Sequence, residues 1–212
     1  MLSLHAVRHR YGDRAVLDIS HLEFGAGEQA LLLGPSGSGK TTLLHIAAGL
    51  LRPSEGAVAL AGQALSELDG RALDGFRGRH VGIVFQRLHL IGSLSVLQNL
   101  LAAQYGAGLP VDAARARETL SALGIDALAD ALPAHLSQGQ AQRAAVARAI
   151  VNRPKLLIAD EPTASLDDRN ADTVLALLQE HARASGAVLL IATHDARAKA
   201  RVARHVTLDA AA

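Results

Sequence analysis

Leu31–Leu44, with the sequence LLLGPSGSGKTTLL, is the stretch that decides the fold. Its centre, residues 34–41, fits the pattern G-x-x-x-x-G-K-[ST] without a mismatch. The stretch predicts a buried strand that ends at Leu33, a glycine-rich turn with inward N–H groups, and a helix that begins near Lys40. The positive end of that helix would face the same point as the N–H groups, which together would form a cradle for phosphate.

The candidate phosphate ligands all lie in this one segment. Lys40 would supply a mobile cation for the β- and γ-phosphates, and Thr41 a hydroxyl for Mg²⁺. A glycine-rich turn that matches by chance is the alternative, but strand, turn and helix follow in the order that the motif needs. The candidates are Gly34, Ser36, Gly37, Ser38, Gly39, Lys40, Thr41 and Thr42.

The composition excludes several classes of protein. The 212 residues carry 21 basic and 20 acidic side chains, so the net charge of +1 gives no support for a nucleic-acid binder. Cysteine is absent, which rules out disulfides and zinc–thiolate chemistry. The sequence has neither a signal peptide nor an apolar stretch long enough to span a bilayer, so we expect a cytoplasmic protein.

The pattern around the phosphate loop predicts an α/β core. Tyr11 falls in a turn, where the residues alone favour an aromatic that covers a sheet edge over a ligand contact. Gln86 directly follows a predicted strand; it is either an ordinary polar residue or one of the ligand-contacting groups that collect at such ends. We expect strands over 2–8, 15–24, 28–33, 57–61 and 81–85, a helix over 41–51, and a short helix over 66–76 capped by Ser66.

The middle of the chain, about residues 93–152, has helical periodicity and no strand-like run. We interpret it as a helical lobe inserted into a single domain, whose nucleotide-binding core is residues 1–92 and 153–212. The expected helices cover 95–104, 112–123, 126–132 and 139–152, with Asp112 as a cap. Beyond the lobe we expect strands over 155–159, 186–193 and 205–208 and a helix over 167–183.

Two carboxylates follow the apolar strand that begins after Lys155. Asp160 would hold Mg²⁺ beside Thr41, and Glu161 would then be free to polarise a water for attack on the γ-phosphorus. A solvated acidic pair is the alternative, but the phosphate loop upstream favours the catalytic reading. His194 also ends a strand and could reach the γ-phosphate, although a lone histidine there is more often structural or merely exposed.

Residues 136–140, LSQGQ, resemble the LSGGQ signature of ATP-binding-cassette (ABC) ATPases. The resemblance covers essentially the whole chain, because the phosphate loop, Gln86, the signature, Asp160–Glu161 and His194 occur in the order of that family. It implies a P-loop NTPase fold: a RecA-like mixed or parallel sheet core with an antiparallel β-subdomain and an inserted α-helical signature subdomain. It also implies ATP and Mg²⁺ as ligands, and ATP hydrolysis.

The resemblance assigns roles to residues that were ambiguous. Tyr11 looks like the adenine-stacking aromatic of the family, and Gln86 like the glutamine that contacts Mg²⁺ or the attacking water and touches the membrane partner. His194 looks like the switch histidine, and residues 165–167 like the D-loop at the dimer interface.

The signature implies a partner subunit. In the family it closes on the γ-phosphate of a second subunit, which implies a head-to-tail homodimer with two sandwiched ATPs. Ser137 would offer a hydroxyl and Gly139 a backbone N–H, and Gln140 completes the motif. Gln138 departs from the usual glycine, so closure or turnover is expected to differ while the site stays active.

Residues 81–101 are similar to the lipoprotein-release, macrolide-export and cell-division group, although amino-acid importer ATPases share much of the pattern. We therefore expect a subunit that works with integral-membrane permease subunits, peripheral on the inner face of the cell membrane. An ATPase that drives a non-transporting regulatory complex is the first alternative. A soluble ABC ATPase acting on nucleic acid or ribosomes is the second, which the charge balance disfavours.

Overall fold

The computed structural model describes residues 1–164 and 166–209. The strands within that part are β1 (Leu2–Tyr11), β2 (Arg14–Phe24), β3 (Gln29–Leu33), β4 (Glu55–Leu60), β5 (Gln63–Ala64), β6 (Val81–Val84), β7 (Leu156–Asp160), β8 (Val188–Ala192) and β9 (Arg204–Thr207). The helices are α1 (Lys40–Ala47), α2 (Gly70–His80), α3 (Val96–Gly106), α4 (Ala113–Ala122), α5 (Gln138–Ile150), α6 (Asp168–Ser185) and α7 (Ala196–Arg201).

The strands form two sheets. One is antiparallel with the order β2-β1-β4-β5, and the other is parallel with the order β6-β7-β8-β3-β9. The central strands of the parallel sheet are continuous apolar runs, as expected for strands covered on both faces. This mixed α/β architecture confirms the predicted fold class.

Alternate residues of the parallel strands serve two separate cores. Leu157 and Leu189 pack on one face with the helices α3 to α6, whereas Leu156 and Leu190 pack on the other face with α1 and the antiparallel sheet. The two-residue period of a strand produces this division. The parallel sheet therefore packs between the helices α3 to α6 on one face and α1 with the antiparallel sheet on the other, and this packing fixes the positions of its strand ends.

The carboxyl ends of three parallel strands meet at one edge. Asp160 at the end of β7 lies opposite Ala192 of β8, and Ala192 lies opposite Leu32 of β3. The phosphate loop after β3, the carboxylates after β7 and the residues after β8 are thereby neighbours, although they are far apart in sequence.

The helices between β6 and β7 begin at side-chain caps. Ser95 caps α3 and Ser137 caps α5, each in a reciprocal capping box with a glutamine three residues later, and Asp112 caps α4 as predicted. The expected helix over 126–132 is wrong: only Asp126–Leu128 forms a 3₁₀ turn within it, and a second 3₁₀ turn, Pro133–His135, follows. The carbonyl oxygens of Ala129 and Ala131 instead accept the N–H groups of Leu97 and Val96 at the start of α3, so tertiary hydrogen bonds hold this segment.

Two further helix predictions need correction. The helix expected over 66–76 is α2, which begins at Gly70 after a 3₁₀ turn at Leu65–Glu67. Ser66 caps nothing; instead, extended Asp69 accepts the first backbone hydrogen bonds of α2. Helix α1 ends at Ala47 and not at residue 51, because Gly49 has a φ of +68° and turns the chain away. The other predicted boundaries differ by a few residues.

No helix within residues 1–164 and 166–209 is long and apolar enough to cross a membrane.

Candidate nucleotide-binding site

Glycine is sterically required at two positions of the phosphate loop. A Cβ atom on Gly34 would lie 2.4 Å from the carbonyl oxygen of Leu208, and one on Gly39 would lie 2.7 Å from that of Val16. Both have positive φ, as does Gly37 at 80°. The loop therefore keeps an open backbone surface at the amino end of α1, which begins at Lys40 as predicted.

The polar side chains of the loop occupy different environments. Lys40 donates from Nζ to the carbonyl oxygens of Gly34 and Pro35, at 2.7 and 2.9 Å, and so folds back across the loop. Ser36 is exposed, whereas Ser38 and Thr42 are buried. The hydroxyl of Ser38 has no hydrogen-bond partner within the described part of the chain, which leaves it free to bond another group.

Thr41 and Asp160 bring α1 and β7 together. The Thr41 hydroxyl donates a 2.9 Å hydrogen bond to Asp160 Oδ2. A hydroxyl beside a carboxylate at the edge of a phosphate cradle is an oxygen donor set that suits Mg²⁺. Thr41 and Asp160, two of the three residues predicted to bind the metal, thus fit it, and the structure brings them into contact across 119 positions of sequence.

Glu161 adopts a strained backbone conformation. Its φ is +47°, in the left-handed region that residues with a Cβ rarely occupy. The surrounding contacts hold it there: its N–H donates to Ala192 O at 2.8 Å, and its Oε2 accepts from the Thr193 hydroxyl at 2.9 Å. Such strain concentrates at functional positions, and the carboxylate of Glu161 is a candidate for a functional role here.

His194 lies beside Glu161. Its Nε2 atom is 3.9 Å from Glu161 Oε1, and 58% of its side chain is exposed, against 23% for Glu161. The exposed ring and the sheltered carboxylate could both contact a molecule placed on the phosphate loop. The structure therefore brings these two predicted residues together.

Gln86 and Tyr11 lie at the margins of the site. Gln86 is exposed in the bend after β6, next to the carboxyl end of β7, and makes no hydrogen bond to another described residue. Tyr11 ends β1 and does not lie within the turn that we expected; its side chain is 54% exposed and packs edge-on against His9, with ring centroids 4.7 Å apart. An exposed, edge-supported ring can stack on a planar ligand.

The signature residues form the beginning of α5. Ser137 Oγ accepts from Gln140 N–H, and Gln140 Oε1 accepts from Ser137 N–H, so the side chain of Gln140 is already engaged in the cap. Gln138 is exposed. Gly139 is buried, and a Cβ on it would lie 2.7 Å from Asn170 Oδ1.

Gly139 thus packs on the start of α6, where the predicted D-loop ends. Asp167 caps α6 through Asn170, whose N–H and Nδ2 both donate to the Asp167 carboxylate. These hydrogen bonds lower the pKa of Asp167. Ser165, the first residue of the predicted D-loop, lies outside the described residues.

The signature and the phosphate loop are not joined. Among residues 1–164 and 166–209, no hydrogen bond or ion pair links residues 136–140 to residues 34–42. The structure therefore assembles the phosphate loop, Asp160, Glu161 and His194 at one edge of the sheet, and places the signature in a separate contact with α6.

Two residues of this edge were missed by the sequence prediction. Thr193 is fully buried and bonds Glu161. Asp195 accepts hydrogen bonds from the Arg197 guanidinium and, more weakly, from the Thr163 hydroxyl, which lower its pKa to about 2. Both residues flank His194 in the sequence, which could have identified them as candidates, but only the fold shows which groups they bond.

Comparisons with known proteins agree with this geometry. Residues 17–164 match the sequence profile of ABC transporters. The lipoprotein-releasing system ATP-binding protein LolD of Chromohalobacter salexigens is 43% identical over 199 residues, which cover 93% of this chain and 84% of the relative. LolD of Maricaulis maris is 42% identical over 213 residues, which cover 98% and 93%, respectively.

Solved structures match over almost the full chain. The dimeric structure of MJ0796, a bacterial ABC transporter cassette, is 32% identical with a TM-score of 0.89, and the match covers 99% of this chain and 94% of that one. A dimeric post-hydrolysis state of MJ0796, bound to ADP and Pi, is 30% identical with a TM-score of 0.89 and coverages of 99% and 96%. The chain therefore belongs to the ABC transporter family, as an ATP-binding, ATP-hydrolysing subunit of the LolD type.

Proposed function

We propose that this chain couples ATP binding and hydrolysis to the release of lipoproteins by a membrane permease. The support is the identity of 42 to 44% with several LolD proteins, whose name states that process. The ATPase would lie at the inner face of the cell membrane, where it can reach both ATP and the permease.

The phosphate loop would bind ATP within one chain. Its N–H groups and Lys40 would hold the β- and γ-phosphates, and Tyr11 would stack on adenine. Thr41, Asp160 and Gln86 would hold Mg²⁺, which, when bound, neutralises charge between the phosphates. For Lys40 to reach a phosphate it must exchange its hydrogen bonds to Gly34 and Pro35, which a flexible side chain can do.

Hydrolysis would use Glu161 as the base. Its carboxylate would accept a proton from the attacking water, while His194 holds the water or the γ-phosphate from the other side. Gln86 would orient the water from the end of β6. Thr193 restricts the Glu161 carboxylate to one orientation, so the base is positioned before ATP arrives.

The complete site would need a second copy of the chain. Ser137, Gly139 and Gln140 lie at the start of α5 without a bond to their own phosphate loop, and Ser137 is exposed there. A head-to-tail homodimer would place them on the γ-phosphate held by the partner. The dimeric structures of the MJ0796 cassette support the formation of a dimer.

The two lobes of the domain would transmit the closing and reopening of the dimer to the permease. Residues 93–152 would move as a helical lobe against the core, residues 1–92 and 153–212, when the dimer closes and reopens. The permease helices would follow this movement. Gln86, in the bend after β6 and a few residues before the proposed lobe, would connect the γ-phosphate site to that lobe.

The observation that carries the proposal is the constellation of Thr41, Asp160, Glu161 and His194 at the mouth of the phosphate loop. The experiment compares Glu161→Gln with the wild type in steady-state ATP hydrolysis and in gel filtration with ATP. We expect hydrolysis to fall by at least about 100-fold, because a general base contributes that much, and an ATP-dependent dimer to accumulate. Glu180→Gln, an exposed carboxylate on α6, is the matched control.

A second measurement tests the transport step. The ATPase is reconstituted with its permease in liposomes that hold an acylated lipoprotein, and release is followed with ATP. ATP-dependent release supports the proposal. ATP hydrolysis without release would favour a non-transporting regulatory complex, and co-sedimentation with ribosomes in place of the permease would contradict both.

A further inference from the structure

A cluster of metal-ligating side chains lies on the antiparallel sheet, outside the nucleotide site. His5 of β1 pairs directly with His21 of β2 across the two strands, and Glu23 follows two residues further along β2. All three side chains are more than half exposed, on the same surface. Neighbouring strands thus present two imidazoles and a carboxylate to solvent at one point.

The three side chains converge closely. The Nδ1 atoms of His5 and His21 are 3.1 Å apart, and the ring centroids 4.6 Å apart. The Glu23 carboxylate contacts both rings, with Oε1 3.6 Å from His5 Nε2 and Oε2 3.7 Å from His21 Nε2. One ligand atom can be taken from each residue so that all three lie within 4.8 Å of one another.

No basic side chain other than the two histidines forms an ion pair with the Glu23 carboxylate within the described residues. Arg204 contacts only the carbonyl oxygen of Glu23. Arg8, further along β1, pairs with Asp18 and Glu55. The Glu23 carboxylate is therefore directed only at the two histidines.

We propose that His5, His21 and Glu23 bind a divalent transition-metal ion of the zinc class. Zn²⁺ is held by nitrogen and oxygen atoms about 2.0–2.2 Å away, so its tetrahedral ligands are separated by a little over 3 Å. The three ligand atoms here, one from each residue, lie within 4.8 Å of one another, and rotation of these exposed side chains would bring them to the separation that zinc needs. Imidazole ligands select zinc, copper or nickel over magnesium, which prefers oxygen ligands. Three protein ligands would leave one coordination position for water or for a group from another molecule.

The site is distinct from the magnesium site in both place and chemistry. Magnesium would sit between α1 and β7 on the oxygens of Thr41 and Asp160, whereas the cluster lies on the outer sheet. A bound ion would tie β1 to β2 near the middle of the first strand and the end of the second. It would therefore stabilise the antiparallel sheet against unfolding, including β1, which ends at Tyr11.

The test titrates Zn²⁺ into the nucleotide-free, full-length chain, without a polyhistidine tag, in competition with a chromogenic chelator. We expect saturable binding of one ion per chain, unaffected by excess Mg²⁺. Glu23→Gln should weaken binding by at least about tenfold, and the double change of His5 and His21 to Asn should abolish it. Zinc at about 100 times its dissociation constant should also raise the melting temperature of the wild type by about 5 °C.

The control variant is His194→Asn, because His194 and Glu161 are another histidine–carboxylate pair. We expect it to bind Zn²⁺ like the wild type. The proposal is overturned if the wild type shows no saturable binding, if the double variant binds as well as the wild type, or if only His194→Asn loses the ion. Circular dichroism of each variant confirms that the fold is retained before its affinity is compared.

Discussion

Thr193 donates its hydroxyl hydrogen to Glu161 Oε2 at 2.9 Å, from the end of the neighbouring strand. Thr193 is fully buried, and its oxygen also accepts the N–H of Asp195 at 3.1 Å. One hydroxyl thus connects the proposed base to the turn that carries His194. This turn and the base are consequently held in a single hydrogen-bonded arrangement.

Replacing Thr193 with Val should lower kcat without changing the KM for ATP. The carboxylate of Glu161 loses its orienting donor, and misplacement of a reacting group by about 1 Å costs roughly 100-fold, so we expect a loss of about 10- to 100-fold in kcat. Thr193→Ser keeps the hydroxyl and should restore most of the rate. Steady-state kinetics of both variants make the comparison, and a Val variant with the kcat of the wild type would contradict the positioning role.

Backbone strain at Glu161 predicts an unusual order of stabilities. Glu161→Gly and Glu161→Ala both remove the carboxylate, but only Ala keeps a Cβ at a φ of +47°. We expect Gly to give the higher free energy of unfolding, by about 1 kcal/mol, because the left-handed region costs a residue with a Cβ about that much. Urea unfolding measures the difference. Equal stabilities, or a more stable Ala variant, would show that the local backbone relaxes.

The backbone strain at Glu161 is a feature that the sequence alone does not predict. The phosphate loop, the strand that leads to Asp160 and the cap Asp112 are local patterns whose physical causes lie within a few residues, and the structure places these elements within a residue or two of their predicted positions. The φ of Glu161 and its bond to Thr193 depend on β8, which is distant in sequence, so no local pattern encodes them.

The difference between local patterns and tertiary contacts also explains why the predicted ends of α1 and α2 are wrong. Serine is a residue type that often caps helices, which is why Ser66 is predicted to cap α2. However, the neighbouring Leu65 packs into the core, and residues 65–67 form a 3₁₀ turn before α2 begins. Helix α1 is shorter than predicted because Gly49, at a φ of +68°, ends it, and the turn there lies close to the side chains of Leu65 and Leu73. Local propensity sets which elements form, whereas packing sets where they end.

The contact between Gly139 and Asn170 predicts a coupling between the signature and α6. Gly139→Ala should lower the free energy of unfolding by about 1–3 kcal/mol, since its Cβ would lie 2.7 Å from Asn170 Oδ1. Asn170→Ala alone removes the hydrogen bond from Asn170 Nδ2 to Asp167, but in the double variant it also removes the clash. The double variant should therefore lose less stability than the two single changes added together. Additive losses, measured by urea unfolding, would exclude the contact.

The depressed pKa of Asp195 predicts a specific loss of stability in acid. Its pKa of about 2 in the folded chain, caused chiefly by Arg197, lies below the value of about 3.9 for an unfolded aspartate. Above about pH 5 both states are ionised and the full stabilisation is present. As the pH falls from about 5 towards 2, the unfolded chain binds the proton first, and the stabilisation is lost; the difference corresponds to about 2 kcal/mol.

Asp195→Asn isolates this contribution. We expect the variant to be less stable than the wild type by up to about 2 kcal/mol at pH 7, and the two free energies of unfolding to converge as the pH approaches 2. Asp130→Asn, an exposed aspartate, controls for the loss of one negative charge. A gap between Asp195→Asn and the wild type that stays constant from pH 7 to pH 2 would assign the effect to packing. Convergence would instead identify the ion pair with Arg197 as the contact that fixes the turn after His194.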